Sequence, residues 1–149
     1  PVAARRDLFP RLDEKGTAKL RRAEDHRPGA EDARRARAEG ADAIVVSTHG
    51  GRNCDALPTT AEALARIAAD PGAVPELLAD SGVRRGSDVL KYLALGAAAV
   101  QLGRAPLWGL AAGGEAGAAA LLDMLLAEIR TAMGFLGART PGDLGPFEG

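Results

Sequence analysis

The segment Ser47-Thr48-His49-Gly50-Gly51-Arg52 places an imidazole and a guanidinium three residues apart across a glycine pair. A histidine can accept a proton at neutral pH, and an arginine offers a fork of donors to a carboxylate. Together they suit a substrate bearing both a hydroxyl and a carboxylate, with His49 as base and Arg52 as clamp. An isolated histidine is more often structural, and it is the guanidinium at the same corner that favours chemistry here. Two further turns carry glycine with arginine: Asp80-Ser81-Gly82-Val83-Arg84-Arg85-Gly86 and Gly103-Arg104. Glycine lets backbone N–H groups approach a phosphate, and arginine binds its oxygens, so Arg84 and Arg104 are candidate phosphate ligands. Either turn alone reads as a corner with a solvated arginine; the pair, one structural unit apart, is harder to explain that way. Asp80 could accept hydroxyl donors from a cofactor's polyol chain or serve the start of the following helix. Cys54 reads as a small packing residue.

These residues need elements to hold them. A helical run over 31–39 stops at Gly40, and Ala43-Ile44-Val45-Val46 follows as an uninterrupted apolar strand. Pro58 opens a helix to about Ala69, a strand is expected over 74–79, Ser87 starts a helix through Leu95, and 98–102 form a third strand. A long amphipathic helix is expected over 115–136, with Gly109 to Gly117 as a loop before it. Strands alternating with helices predict an α/β fold with a parallel sheet buried on both faces. All three chemical turns then fall at carboxyl ends of strands, the edge where a (β/α)8 barrel builds its active site and binds phosphate after its last two strands.

The first 40 residues hold 11 basic and 8 acidic side chains, the remaining 109 hold 8 and 12. Residues 1–28, with scattered apolar side chains and Pro10 and Pro28, read as a diverged, poorly ordered amino-terminal segment, and 29–149 as the folded part. The arginine clusters at Arg21, Arg22, Arg35 and Arg37, interleaved with acids, read as solvated helix faces. A net charge of -1 leaves no basic surplus for a nucleic acid. One cysteine and two histidines cannot build a disulfide or a tetrahedral zinc site. No stretch approaches the roughly 18 apolar residues of a spanning helix, and no signal segment is visible, so a cytoplasmic protein without a membrane span is expected.

Over about Gly29 to Leu144 the chain resembles the FMN-dependent 2-hydroxy acid oxidase and dehydrogenase family, which includes glycolate oxidase, lactate oxidase, L-lactate dehydrogenase and mandelate dehydrogenase. The resemblance lies in 40–52, in 80–89, and in Leu93-Ala94-Leu95-Gly96-Ala97 through Gly103-Arg104. It implies a (β/α)8 barrel, FMN as cofactor, and oxidation of a small L-2-hydroxy acid to the 2-oxo acid. His49 would be the active-site base and Arg52 the substrate-carboxylate ligand. Ser47 would touch the flavin, Asp80 the ribityl hydroxyls with Ser81 beside it, and Gly82, Arg84, Gly103 and Arg104 the FMN phosphate. Thr48 stands where the family usually has Asn, Cys54 where Leu is common and Ser81 where Gly is common. Glu76 places a carboxylate in an apolar strand, and the family's flavin-facing Lys falls at Asp25, in a stretch without a strand's apolar run. A barrel needs about 250 residues, so the chain reads as the carboxyl-terminal part, about three strand-helix units, of a protein that would be homo-oligomeric at full length. An inactive remnant and another phosphate-binding barrel enzyme, such as an isomerase, are the alternatives; the His49 and Arg52 pair disfavours the isomerase.

Overall fold

Four consecutive apolar residues present no polar face to water, and in the computed structural model Ala43, Ile44, Val45 and Val46 are all buried. The structure describes residues 20–23, 29–51, 56, 58–70, 72 and 76–145. Its elements in chain order are β1 (Leu20–Ala23), α1 (Ala30–Ala38), β2 (Ala43–Val46), α2 (Thr60–Ala68), β3 (Leu77–Ala79), α3 (Gly86–Ala94), β4 (Ala99–Val100) and α4 (Arg104–Phe135). Short 3-10 turns occupy His49–Gly51 and Pro141–Asp143. The strands form one parallel sheet in the order β1-β2-β3-β4, with Ala23 against Val46, Val46 against Ala79 and Ala79 against Val100. Sequential parallel neighbours joined by helices are repeated βα units, as the alternating pattern predicts.

The core lies between the sheet and the helices. Ala63, Leu64 and Ile67 of α2, almost wholly buried, pack with Ile44, Val46, Leu77, Ala79 and Tyr92. Each large aliphatic side chain so buried contributes about 1.5 to 3 kcal/mol. Three helices end on the same device. Gly40, Gly96 and Gly137 all have positive φ. At each, the glycine N–H and the one after it bond back into the last helical turn, as in Gly96 to Leu93 (3.1 Å) and Ala97 to Tyr92 (3.0 Å).

The structure departs from the sequence reading in four places. A strand, β1, occupies part of the expected amino-terminal tail; Arg21 and Arg22 lie in it rather than on a helix. It escapes pattern reading because an outer strand is held by backbone pairing to β2 and needs no apolar run. The second expected strand is shorter: Glu76 precedes β3, half-buried, its carbonyl accepting the Ile44 N–H at 3.0 Å, so its carboxylate is not locked in a strand interior. The expected loop over 109–117 is largely helical. It belongs to α4, with non-helical angles only at Gly113 and Gly114. A Cβ on Gly109 would lie 2.6 Å from the Gly117 carbonyl oxygen. Eight residues of straight helix would separate them by about 12 Å, so the chain folds back at Gly113-Gly114 and the two limbs cross on bare backbone. Finally, α4 is, among the described residues, long and apolar enough to cross a membrane by length and composition, with a window of mean hydropathy 1.4, although its helix is broken at those glycines.

Candidate active site

Parallel strands bring their carboxyl ends to one edge, and here the Asp80 N–H bonds to the Val46 carbonyl (3.1 Å) and the Gln101 N–H to the Ala79 carbonyl (2.8 Å). The segments leaving β2, β3 and β4 therefore emerge side by side. Between them lies a cavity of about 390 Å³ lined by His49, by residues 80–84 and by residues 101–105, with Leu107 and Trp108 as an apolar wall. Seven of the nine candidate site residues, His49, Asp80, Ser81, Gly82, Arg84, Gly103 and Arg104, meet in that one cavity. Ser47 is buried outside its lining. Arg52 and Cys54 lie outside the described residues, as does Asp25.

Among the described residues, two that bear side chains adopt the left-handed backbone region favoured by glycine: His49 (φ 52°) and Ser81 (φ 75°). Such positions cost on the order of 1 to 3 kcal/mol each and persist only where surrounding bonds enforce them. The Ser47 hydroxyl accepts the His49 N–H at 3.1 Å, and the Gly51 N–H bonds to the Thr48 carbonyl at 2.9 Å, closing a tight turn around the histidine. The Ser81 hydroxyl donates to Asp80 Oδ1 at 2.6 Å and accepts the Thr48 N–H at 3.3 Å. The Tyr92 hydroxyl, from α3, donates to the Ser81 carbonyl at 2.7 Å. Burial raises the Tyr92 phenol above its ordinary pKa.

The helix starts divide by charge. Asp32 accepts the Gly29 N–H before α1 at 3.4 Å, Glu62 the Thr59 N–H before α2 at 2.8 Å, and Asp88 the Arg84 and Arg85 N–H groups before α3 at 3.0 Å each. Glu128 adds a second acid at the α3 start, accepting the Gly86 N–H at 2.7 Å and pairing with Arg85 at 3.2 Å. By contrast α4 has no acid in its first turn and Gly103 supplies no capping side chain; Arg104 stands there instead. A helix start of this kind, opening onto a cavity with Arg84 and Gly82 on the facing loop, suits an external anion. No Cβ stands at Gly103, and one placed there would meet nothing within 4 Å, leaving the backbone open to close approach.

Residue types alone did not single out Tyr92, Gln101 or Trp108. The signal for Trp108 was its position four residues after Arg104, on the same helix face. Tyr92 shares the α3 face of Asp88, again four residues apart.

The sequence profile of the FMN-dependent dehydrogenase family matches residues 29–147. An L-lactate dehydrogenase from Stenotrophomonas maltophilia is 53% identical over 115 residues, covering 77% of this chain and 30% of that protein. The pre-mycofactocin synthase of Mycobacterium tuberculosis is 50% identical over 118 residues, covering 79% and 30%. Among solved structures, a soluble mutant of the membrane-associated (S)-mandelate dehydrogenase from Pseudomonas putida superposes with a TM-score of 0.78 at 44% identity, over 95% of this chain and 37% of that one. The chain thus spans about a third of the length of the relatives it matches.

Proposed function

Because the chain belongs to the FMN-dependent dehydrogenase family, we propose that it forms the phosphate-binding and proton-accepting part of a barrel that oxidises a small L-2-hydroxy acid, lactate-, glycolate- or mandelate-like, to the 2-oxo acid. The observation that carries this reading is the convergence of His49 with the Gly82/Arg84 and Gly103/Arg104 turns on one cavity. FMN fits the donor set present. Its phosphate is a dianion, and the cavity offers a helix start without an acidic cap, a Gly103 open to backbone approach, and two arginines. Asp80 is an acceptor for ribityl hydroxyls, with Ser81 bonded to it.

In this mechanism Arg52 would take the substrate carboxylate, as the family resemblance implies, and His49 would serve the hydroxyl-bearing carbon. The imidazole accepts the proton that leaves as the hydroxyl becomes a carbonyl. FMN, when bound, would supply the acceptor for the two electrons and for the second of the two hydrogens that the hydroxy acid loses. The backbone at His49 is held in its left-handed conformation by the bond from its N–H to the Ser47 hydroxyl.

The test uses a full-length barrel made by joining this chain to the first part of a relative. Anaerobic addition of L-lactate, glycolate or (S)-mandelate to the flavin-loaded protein should bleach the flavin absorbance and form the corresponding 2-oxo acid. A stably loaded protein that none of the three reduces would overturn the reading.

A further inference from the structure

Tyr92 is the sole tyrosine of the chain, it sits on α3 rather than in any of the chemical turns, and it is 8% exposed. Its hydroxyl bonds to the carbonyl of Ser81, the residue whose left-handed φ starts the corner Ser81-Gly82. Gly82 follows with φ 74°, and a Cβ built on it would lie 3.8 Å from that same hydroxyl. The corner is therefore seated directly on the phenol. From Ser81 the bonds run two ways: its hydroxyl reaches Asp80 and also receives the Thr48 N–H, one residue before His49.

We propose that Tyr92 is a positioning residue that, through Ser81, sets the geometry of both halves of the site at once: the Gly82-to-Arg84 loop on one side and the Thr48-His49 turn on the other. Two consecutive left-handed residues, the first bearing a side chain, do not hold that shape unaided. The tyrosine supplies the bond that fixes the carbonyl at the point where the chain reverses. Thr48 then docks on the fixed serine, so the two turns move as one piece. The consequence for an anion in the cavity rests on the flavin reading above; the geometric coupling does not.

The test is residue-resolved amide exchange and backbone coupling constants on the 149-residue chain and its Tyr92→Phe variant. Loss of one hydrogen bond is expected to speed Thr48 exchange by about 2- to 10-fold and to move the Ser81 coupling constant off its left-handed value. Exchange at Ile44, in the middle of the sheet, should stay unchanged, which separates positioning from general destabilisation. Equal Thr48 exchange and an unmoved Ser81 coupling in a folded variant would overturn the proposal, as would a uniform loss of protection that includes Ile44. Should Tyr92→Phe not fold, titration of the unaltered chain supplies the second arm: ionising the sole phenol removes its donor, so the Ser81 carbonyl carbon shift should move with that ionisation, and a carbonyl shift that stays put as the phenol ionises would refute the bond. Addition of FMN should shift the Gly82 and Gly103 amides, with apparent affinity about 2- to 10-fold weaker in the variant. A complete lack of FMN response in the unaltered chain counts against the flavin reading alone.

Discussion

His49 and Arg104 share one cavity but are assigned different work, and substitutions should separate them. In a completed, FMN-loaded barrel, His49→Ala should lower turnover by about 10² to 10⁴-fold while flavin content after gel filtration is unchanged, if the imidazole serves the proton, as proposed, and not the phosphate. Near-normal turnover at saturating FMN would remove His49 from the role of base. Arg104→Ala should instead release flavin during gel filtration and recover most of its turnover when FMN is added in excess. At this scale the sequence was informative because the residue types are chemically distinctive. Glycines beside arginines and a histidine beside a glycine pair announce themselves. What they did not announce was support: Tyr92 and Glu128 act through a phenol and a carboxylate whose targets, the Ser81 carbonyl and the Gly86 N–H, are 11 and 42 residues away in the chain.

Elements were legible where their ends carry chemical punctuation and illegible where pairing alone defines them. Gly40 marks a helix end in the sequence, and Gly40, Gly96 and Gly137 all serve as such in the structure. The β1 strand has no comparable mark, since Arg21 and Arg22 sit at its centre. The break at Gly113-Gly114 was visible as glycines, but only the crossing of Gly109 on Gly117 explains why helices flank it. Packing of α3 on α4 yields a sharp expectation. A Cβ at Gly86 would lie 2.5 Å from the Ile129 nitrogen and 2.7 Å from the Glu128 Cβ, with backbone as the main obstacle. Gly86→Ala should therefore lower stability by about 1 to 3 kcal/mol, read as a shift in the urea midpoint; an unchanged midpoint would mean that α4 is not seated on α3. The start of α2 is pH-sensitive in a defined sense. The Thr59 N–H and hydroxyl hold the Glu62 carboxyl below its ordinary pKa. Its contribution is present above the ordinary carboxylate range and lost as pH falls through the lowered value. Glu62→Gln should flatten the acid limb of the stability curve, and an unaltered limb would show that this cap does not matter.

On the scale of the molecule, the four parallel strands among the described residues, in sequential order, make a segment of a (β/α)8 barrel, with β1 and β4 as the outer strands of that described sheet. Large apolar side chains on α4 and just past its end face solvent, among them Trp108, Met124, Leu126 and Phe135, the last 89% exposed. Outer strands and exposed apolar helices associate, so the chain on its own should run as dimers or larger species in light scattering, and a monomer at high concentration would contradict that expectation. The claim on which the functional account turns is that the cavity at the carboxyl ends of β2, β3 and β4 receives the phosphate of FMN. Titration of the labelled chain with FMN and, separately, with riboflavin tests it most directly, because the two ligands differ only in that phosphate. FMN should shift the amides of Gly82, Arg84, Gly103 and Arg104 saturably, with weak affinity, and riboflavin should leave them in place. No shift with FMN, or the same shifts with riboflavin, would contradict the account.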